Sequence, residues 1–170
     1  MIITESYKEL NRQLHETNPN YGVSGSKWRD FARNLSDWGR KPILDYGCGK
    51  QTLAKSLGPA YHVTGYDPCI PGLDTTPEPH PIVICGDVME HVEPEYIEPV
   101  LKQIRELTKE KAFFVIALGP SQKTLADGRN SHISQHDADW WRGKLIDAGF
   151  TIAKEKPQEK GQGATWFTVQ

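Results

Sequence analysis

Glycines and carboxylates in this chain of 170 residues are spaced as in a site for a nucleotide-type ligand. The segment Pro42–Ala54 is typical of a buried strand that runs into a glycine turn and then a helix. Gly47 and Gly49 allow backbone angles that other residues avoid, and they let the main chain approach a ligand closely. A second strand ends at Asp67, about 20 residues later, where an acidic side chain can bind a ribose diol. An ordinary tight turn followed by a strand-end carboxylate is the alternative interpretation.

A second set of side chains is suited to proton transfer. Asp87, Glu90 and His91 follow a short apolar run, and His132 and His136 lie in the polar segment after the next one. A carboxylate or imidazole at such a position can accept a proton from a substrate oxygen or nitrogen. We predict His132 as the general base, with Glu90 and His91 as further catalytic candidates. Helix capping, packing and an exposed loop histidine are the alternatives.

Three cysteines, Cys48, Cys69 and Cys85, fall at the ends of predicted strands. Their number is odd, and they lack the C-x-x-C spacing of a zinc site or a redox motif. We therefore expect reduced, buried thiols, no disulfide and no metal site. A thiol cluster that binds a metal at these strand ends is the alternative.

Composition and charge are those of one ordinary globular domain. Hydrophobic residues make up 37% of the chain, and no apolar run approaches the roughly 18–20 residues needed to cross a bilayer. Because basic and acidic residues are interspersed at a net charge of −2, we expect no extensive nucleic-acid surface. The first five residues lack the basic and then apolar pattern of a secretory signal, which favours a cytoplasmic protein. The oligomeric state is not predicted.

Two helices are predicted before the first strand. The first covers residues 5–16, and the second begins at Ser24 or Ser26 and ends near Trp38. One face of the second helix carries the large apolar side chains Trp28, Phe31, Leu35 and Trp38. We divide the chain into an N-terminal helical extension, residues 1–38, and a ligand-binding domain, residues 39–170. Tyr7, Tyr21 and Ser24 would let the extension act as a lid, and a simple packing extension is the alternative.

Strands and helices alternate through the rest of the chain. The pattern predicts strands over 42–46, 61–66, 82–85, 112–118, 150–153 and 164–169, with helices after the glycine turn and over 94–108 and 137–148. The last two strands are joined across residues 157–163, which suit a hairpin. This order predicts a doubly wound, mostly parallel α/β sheet with an antiparallel final strand and with ligands at the carboxyl ends of the parallel strands.

The chain resembles class I S-adenosylmethionine-dependent methyltransferases in three motifs: Asp45-x-Gly47-x-Gly49, Asp67, and Asp87-x-x-Glu90-His91-Val92. The third motif resembles the loop after the fourth strand in small methyltransferase-domain proteins. Residues 140–150 are similar to their final passage from helix to strand, so the likeness runs from about Trp38 to the C-terminus.

The resemblance implies a Rossmann-like methyltransferase fold with S-adenosyl-L-methionine as cofactor. It implies that Asp45, Gly47 and Gly49 surround the methionine part and that Asp67 binds the ribose hydroxyls. Asp87 would lie at the mouth of the substrate pocket. The free N–H groups of a helix N-terminus favour the carboxylate of the cofactor, and strand-end carboxylates favour its ammonium and hydroxyl groups. The predicted cofactor-binding set is Asp45, Gly47, Gly49, Lys50, Asp67, Pro68 and Asp87.

Two departures from the family pattern predict a shortened sheet with altered adenine contacts. Gln51 stands where many members have a third glycine. Residues 68–81 contain five prolines and replace the usual helix and strand between the second strand and the Asp87 motif. We expect Pro68, Cys69 and Ile70 to substitute for the missing adenine contacts.

The resemblance favours methyl transfer to an oxygen or nitrogen of an unidentified acceptor, with a small molecule preferred. A catalytically inactive S-adenosylmethionine-binding protein with a regulatory or scaffold role is the first alternative. A nicotinamide-dependent dehydrogenase is the second, although the third glycine of its G-x-G-x-x-G motif would fall at Thr52.

Overall fold

The computed structural model describes residues 2–156 and 163–170. Six strands form one sheet: β1 (Ile43–Tyr46), β2 (Val63–Tyr66), β3 (His80–Gly86), β4 (Thr108–Ala117), β5 (Ile152–Glu155) and β6 (Ala164–Val169). Their spatial order is β2-β1-β3-β4-β6-β5, and β6 is antiparallel to both of its neighbours. The pairs among β1 to β4 are parallel. The predicted mostly parallel sheet with an antiparallel C-terminal strand is therefore confirmed.

Five α-helices accompany the sheet: α1 (Glu5–Thr17), α2 (Arg29–Leu35), α3 (Thr52–Leu57), α4 (Ile97–Leu107) and α5 (Ala138–Asp147). Short 3₁₀ segments cover Ser24–Trp28, Met89–His91 and Pro94–Tyr96. The side chains of Thr4 and Asp137 cap the first turns of α1 and α5, since each accepts a backbone N–H three residues later.

Alternating side chains of the central strands build two cores on opposite faces of the sheet. Leu44, Val83 and Phe114 pack on one side with residues of α4 and α5. Ile43, Phe113 and other alternate residues pack on the other side with α2 and α3. Because both faces are covered, the central strand segments, residues 43–46, 82–85 and 112–117, are apolar at almost every position, as is typical of buried parallel strands.

The sheet is shortened at the β2 edge, as predicted. Neither a helix nor a strand lies between β2 and β3 in the described chain, and residues 67–73 instead fold as consecutive turns. The prolines at 68, 71, 77 and 79 lack the backbone N–H that a helix or a central strand would use. Strand β3 begins at His80, two residues earlier than predicted.

The prediction of a continuous second helix to Trp38 is wrong. Helix α2 ends at Leu35, and both Asp37 and Trp38 have positive φ. The Ser36 hydroxyl accepts the N–H of Gly39 and donates to the carbonyl of Arg33, which stabilises the turn. Trp38 is consequently 64% exposed and does not join the apolar face.

The predicted hairpin connection, residues 157–163, lies almost wholly outside the described residues. None of the helices in the described part of the chain combines the length and apolar character that a membrane crossing requires.

Candidate functional site

A cavity of about 610 Å³ lies at the carboxyl ends of β1 to β4, where a doubly wound sheet binds its ligands. Ten of the predicted cofactor-binding and catalytic residues contribute to its lining: Asp45, Gly47, Gly49, Asp67, Pro68, Cys69, Asp87, Glu90, His91 and His132. Topology explains this convergence, because neighbouring parallel strands deliver their C-terminal loops to the same edge of the sheet.

The turn between β1 and α3 is packed against other backbone segments so tightly that it needs glycine. A Cβ on Gly49 would lie 2.5 Å from the carbonyl oxygen of Gly22, and φ at Gly49 is +50°. The same Gly22 carbonyl accepts the N–H of Lys50 at 2.8 Å. Gln51, at the position where the family favours glycine, also has a positive φ of 56°. The local backbone therefore keeps a glycine-like conformation despite the glutamine.

Asp67, at the end of β2, is oriented by two backbone hydrogen bonds. Its Oδ2 accepts the N–H of Gly49 and its Oδ1 accepts the N–H of Cys69, each at 3.0 Å. A carboxylate has about four lone-pair positions, so both oxygens can still accept hydroxyl protons from a ligand. The His15 Nε2 atom lies 3.9 Å from Asp67 Oδ2. Burial lowers the pKa of His15 despite the nearby carboxylate, so this ring is neutral at pH 7.

Asp45, at the centre of the site, carries a buried carboxylate oxygen without a partner. The residue is 5% exposed, and its Oδ2 has no hydrogen-bond partner. Burial, reinforced by the negative charge of Asp67, raises the pKa of Asp45 to about 7. A cationic group placed in the cavity beside this oxygen would give it a partner and would stabilise the charged carboxylate. Asp45 is therefore a candidate for binding an ammonium.

Asp87, at the end of β3, has a conformation that is uncommon for a residue with a side chain. Its φ is 58°, and its N–H donates to the carbonyl of Val115 at 2.9 Å. Such backbone strain occurs often at functional sites, where the surrounding structure enforces it. Burial raises the pKa of Asp87, and a hydrogen bond to the Ser24 side chain opposes this effect.

Glu90 is completely buried beside the end of β4. Its Oε1 accepts the N–H of Ala117 at 3.1 Å, while its Oε2 has no hydrogen-bond partner. The pKa of Glu90 is raised to about 8, mainly by burial and secondly by the negative charge of Asp87.

His91 and His132 hold fixed tautomers next to Glu90. The His91 Nδ1 lies 2.6 Å from the carbonyl oxygen of Ser131, and the His132 Nδ1 lies 2.7 Å from that of Gly119. Because carbonyl oxygens only accept hydrogen bonds, each Nδ1 carries a proton, and a neutral ring then has its lone pair on Nε2. Burial and the neighbouring His132 lower the pKa of His91 to about 3, so its ring is neutral.

Three predicted residues are not brought into the cavity. The Lys50 ammonium donates to the carbonyl of Asn18 at 2.7 Å, and Lys50 is not part of the lining. The His136 ring stacks on Trp140 with 3.6 Å between ring centroids, which holds it away from His132. Ile70 also lies outside the lining, so of the expected substitutes for adenine contacts only Pro68 and Cys69 remain.

The N-terminal extension contributes more to the site than the sequence indicated. Glu93, which the sequence analysis missed, accepts the N–H and the hydroxyl of Thr4 at 2.9 and 2.7 Å. The Tyr7 hydroxyl donates to the carbonyl of His91 at 2.7 Å. These bonds join helix α1 to the loop after β3. The closeness of Glu93 to Glu90 and His91 in the sequence was the available signal for Glu93. Its hydrogen-bond partner Thr4, however, lies 89 residues away in the chain.

The cysteines are three free thiols that are all buried, as expected. Burial raises the pKa of Cys48, Cys69 and Cys85, so none is a reactive thiolate at neutral pH.

Comparisons with known proteins show the fold and leave the family open. No protein-family model and no curated protein sequence matches the chain. A Burkholderia thailandensis 1,6-didemethyltoxoflavin-N1-methyltransferase, solved with 1,6-didemethyltoxoflavin and S-adenosylhomocysteine, superimposes with a TM-score of 0.68 at 17% identity, over 96% of this chain and 88% of that one.

Two further solved structures give the same result. The magnesium protoporphyrin IX methyltransferase of Synechocystis PCC 6803, with bound S-adenosylmethionine, has a TM-score of 0.65 at 18% identity, over 96% of each chain. An S-adenosylmethionine-dependent methyltransferase from Clostridium acetobutylicum ATCC 824 has a TM-score of 0.67 at 12% identity, over 98% of this chain and 99% of that one. The chain therefore has the Rossmann-like fold of class I methyltransferases.

Proposed function

We propose that the chain binds S-adenosyl-L-methionine and transfers its methyl group to an oxygen or nitrogen of a small-molecule acceptor. The unpartnered buried oxygen of Asp45, beside the glycine turn, is the observation that carries the proposal. This oxygen matches the ammonium of the methionine part, because a cation stabilises a carboxylate whose pKa burial has raised.

Asp67 would bind the ribose hydroxyls. Its two hydrogen bonds to Gly49 and Cys69 fix the carboxylate at the end of β2 while leaving lone pairs for the diol. Pro68 and Cys69, which follow directly and line the cavity, would border the adenine. A cavity of about 610 Å³ is within the roughly 300–1,000 Å³ range of sites for ligands of this size.

The cofactor would supply an electrophilic methyl carbon on a sulfonium. The protein then has to align the acceptor with the C–S bond, exclude water and accept the proton that the acceptor loses. His132 lines the cavity, and the Gly119 carbonyl engages its Nδ1, which leaves Nε2 for the acceptor. We assign it the role of proton acceptor, with Glu90 and His91 positioned around it.

The N-terminal extension, residues 1–38, would serve as a lid over this site. His15, Tyr21 and Ser24 line the cavity, and α1 is joined to the loop after β3 through Glu93. A lid of this kind would exclude water from the reacting groups.

A small acceptor fits the surroundings of the site better than a large one. The 1,6-didemethyltoxoflavin and the magnesium protoporphyrin IX named for two structural neighbours are both small molecules. Acidic and basic residues are interspersed in this chain at a net charge of −2, which does not favour a polyanionic acceptor.

Calorimetric titration with S-adenosylmethionine and S-adenosylhomocysteine tests the proposal. We expect micromolar binding by the wild type, weakened by about 1–3 kcal/mol in Asp67→Ala because two hydroxyl contacts are lost. Asp147→Ala removes an exposed carboxyl at the end of α5 and should bind as the wild type does. Unchanged affinity in Asp67→Ala would refute the ribose assignment, and no binding by the wild type would refute the cofactor.

Incubation with labelled S-adenosylmethionine and a panel of small hydroxyl and amine acceptors then separates catalysis from binding alone. Formation of S-adenosylhomocysteine together with a methylated acceptor supports the transferase. Tight binding without turnover on any acceptor supports the inactive regulatory or scaffold alternative.

A further inference from the structure

Three potential metal ligands converge at the carboxyl ends of β3 and β4. A carboxylate oxygen of Glu90 and a ring nitrogen from each of His91 and His132 lie within 4.8 Å of one another. Ligand atoms about 2.0–2.2 Å from one tetrahedral metal ion are about 3.3–3.6 Å apart, so atoms within 4.8 Å of one another need only a small side-chain adjustment to bind one ion. Glu90 and His91 are neighbours in the chain, whereas His132 comes from the segment after β4, so tertiary folding assembles the group.

The hydrogen bonds around these side chains prepare them for coordination. The Nδ1–H groups of His91 and His132 donate to the carbonyls of Ser131 and Gly119, which leaves each Nε2 free. Histidines that bind metals almost always donate their other ring N–H to a carbonyl or carboxylate in this way.

Glu90 supplies the independent observation. The residue lines the cavity but has no exposed surface, its Oε1 accepts the Ala117 N–H, and its buried Oε2 has no hydrogen-bond partner. A buried polar atom without a partner costs free energy, and a missing ion is one of the ordinary explanations for it.

We propose that Glu90, His91 and His132 bind a divalent first-row transition-metal ion, such as Zn²⁺, Co²⁺, Mn²⁺ or Fe²⁺. Two imidazoles and one carboxylate favour these ions over Mg²⁺ and Ca²⁺, which prefer oxygen ligands. This site is distinct from the cysteine-based metal site considered above, and the sequence alone predicts no metal at these residues.

With three protein ligands, further coordination positions would remain for an oxygen or nitrogen of the acceptor. Coordination would use the lone pair that His132 otherwise offers to a proton. The ion would instead lower the pKa of the bound acceptor, whose proton would pass to water before the methyl group is transferred. This role rests on the proposed methyl transfer, whereas binding of the ion does not.

Titration of tag-free, metal-depleted protein with Co²⁺ tests the site. We expect one saturable site with the visible absorption bands of coordinated Co²⁺. His132→Ala and Glu90→Gln should weaken binding by about 100-fold or more, because losing even an outer partner of a metal site costs about 10- to 100-fold. The matched control is His62→Ala, which removes an exposed histidine beyond the cavity and should bind Co²⁺ as the wild type does.

No saturable Co²⁺ binding by the wild type, or equal loss in His62→Ala, would overturn the proposal. Histidine ring ¹H–¹⁵N spectra of the wild type during Zn²⁺ titration test the same metal site without any substitution. The Nε2 signals of His91 and His132 should shift while that of His62 stays, and the reverse pattern contradicts the site. Titration of the metal-depleted protein with S-adenosylhomocysteine tests the proposed cofactor site separately from the metal site.

Discussion

Two carboxyl groups in the cavity are buried without full hydrogen bonding, and both belong to the proposed site. Asp45 and Glu90 each keep one oxygen unpartnered. Burying an unpaired carboxylate destabilises a fold, so such groups persist where a ligand or a reaction uses them. Binding of a cation beside each one, an ammonium at Asp45 and a metal ion at Glu90, is the common physical explanation that we propose.

Asp45 should make the stability of the ligand-free protein depend on pH. Its pKa is about 7 when folded and near 3.8 when unfolded, so the folded state retains the proton as pH rises between these values. The unfolded chain loses that proton at lower pH than the folded protein does. The free energy of unfolding therefore decreases as pH rises from about 4 to about 7. At about 1.4 kcal/mol per pH unit the loss reaches on the order of 4 kcal/mol.

The variant Asp45→Asn removes this titration. Relative to the wild type, its free energy of unfolding should increase as pH rises from 4 to 7 and remain constant above pH 7. Urea unfolding of both proteins at pH 5 and pH 8 measures the difference, with Asp147→Asn as the exposed-carboxyl control. A wild-type-to-variant difference that is the same at both pH values would show that Asp45 titrates normally.

At the scale of elements, the glycine turn joins the N-terminal extension to the parallel sheet. Gly22, in the segment between α1 and α2, contacts Gly49 in the turn between β1 and α3 and accepts the Lys50 N–H. The turn therefore serves two purposes: its backbone lines the cavity, and the residues proposed to form the lid pack against it.

Substitution of Gly49 should disturb both purposes. Gly49→Ala pays about 1–2 kcal/mol for its positive φ and about 1–3 kcal/mol more for the contact with the Gly22 backbone. The matched control is Gly72→Ala, which has a positive φ of 85° but no atom within 4 Å of an added Cβ. Chemical denaturation should show a larger loss for Gly49→Ala, and calorimetry should show weaker S-adenosylhomocysteine binding only there. Equal effects of the two substitutions would rule out the packing explanation.

At the scale of the whole molecule, ligand binding should stabilise the entire fold because the cavity draws on four strands and the N-terminal extension. At a concentration 100 times its Kd, S-adenosylhomocysteine adds about 2.7 kcal/mol to the free energy of unfolding. For a domain of this size that corresponds to a Tm higher by about 5–10 °C.

Thermal unfolding followed by circular dichroism measures this shift, with NADH as the comparison ligand. We expect a shift with S-adenosylhomocysteine that is much smaller in Asp67→Ala, and no shift with NADH. The opposite result, stabilisation by NADH alone, would favour the dehydrogenase alternative.

Much of the fold and half of the site could be predicted from local pattern. Glycines in a strand-to-helix turn and an acid at the end of the next strand depend on backbone rules that act over a few residues. The sequence therefore predicted that Asp45, Gly49 and Asp67 lie at strand ends, and all three line the cavity. The alternation of strands and helices likewise predicted the doubly wound sheet, and the proline-rich segment after β2 predicted its shortening.

Specific side-chain contacts decided the rest, some of them local and others between distant parts of the chain. The Ser36 turn ended α2 before Trp38, and stacking on Trp140 removed His136 from the site. Glu93 acquired its role from Thr4, and the group of Glu90, His91 and His132 required β3 and β4 to be neighbours. By itself the sequence determined the strands, the turns and the residues at their ends, because those follow from local sterics and hydrophobic periodicity. Only the tertiary structure decided which side chains share one cavity, since that depends on packing between residues far apart in the chain.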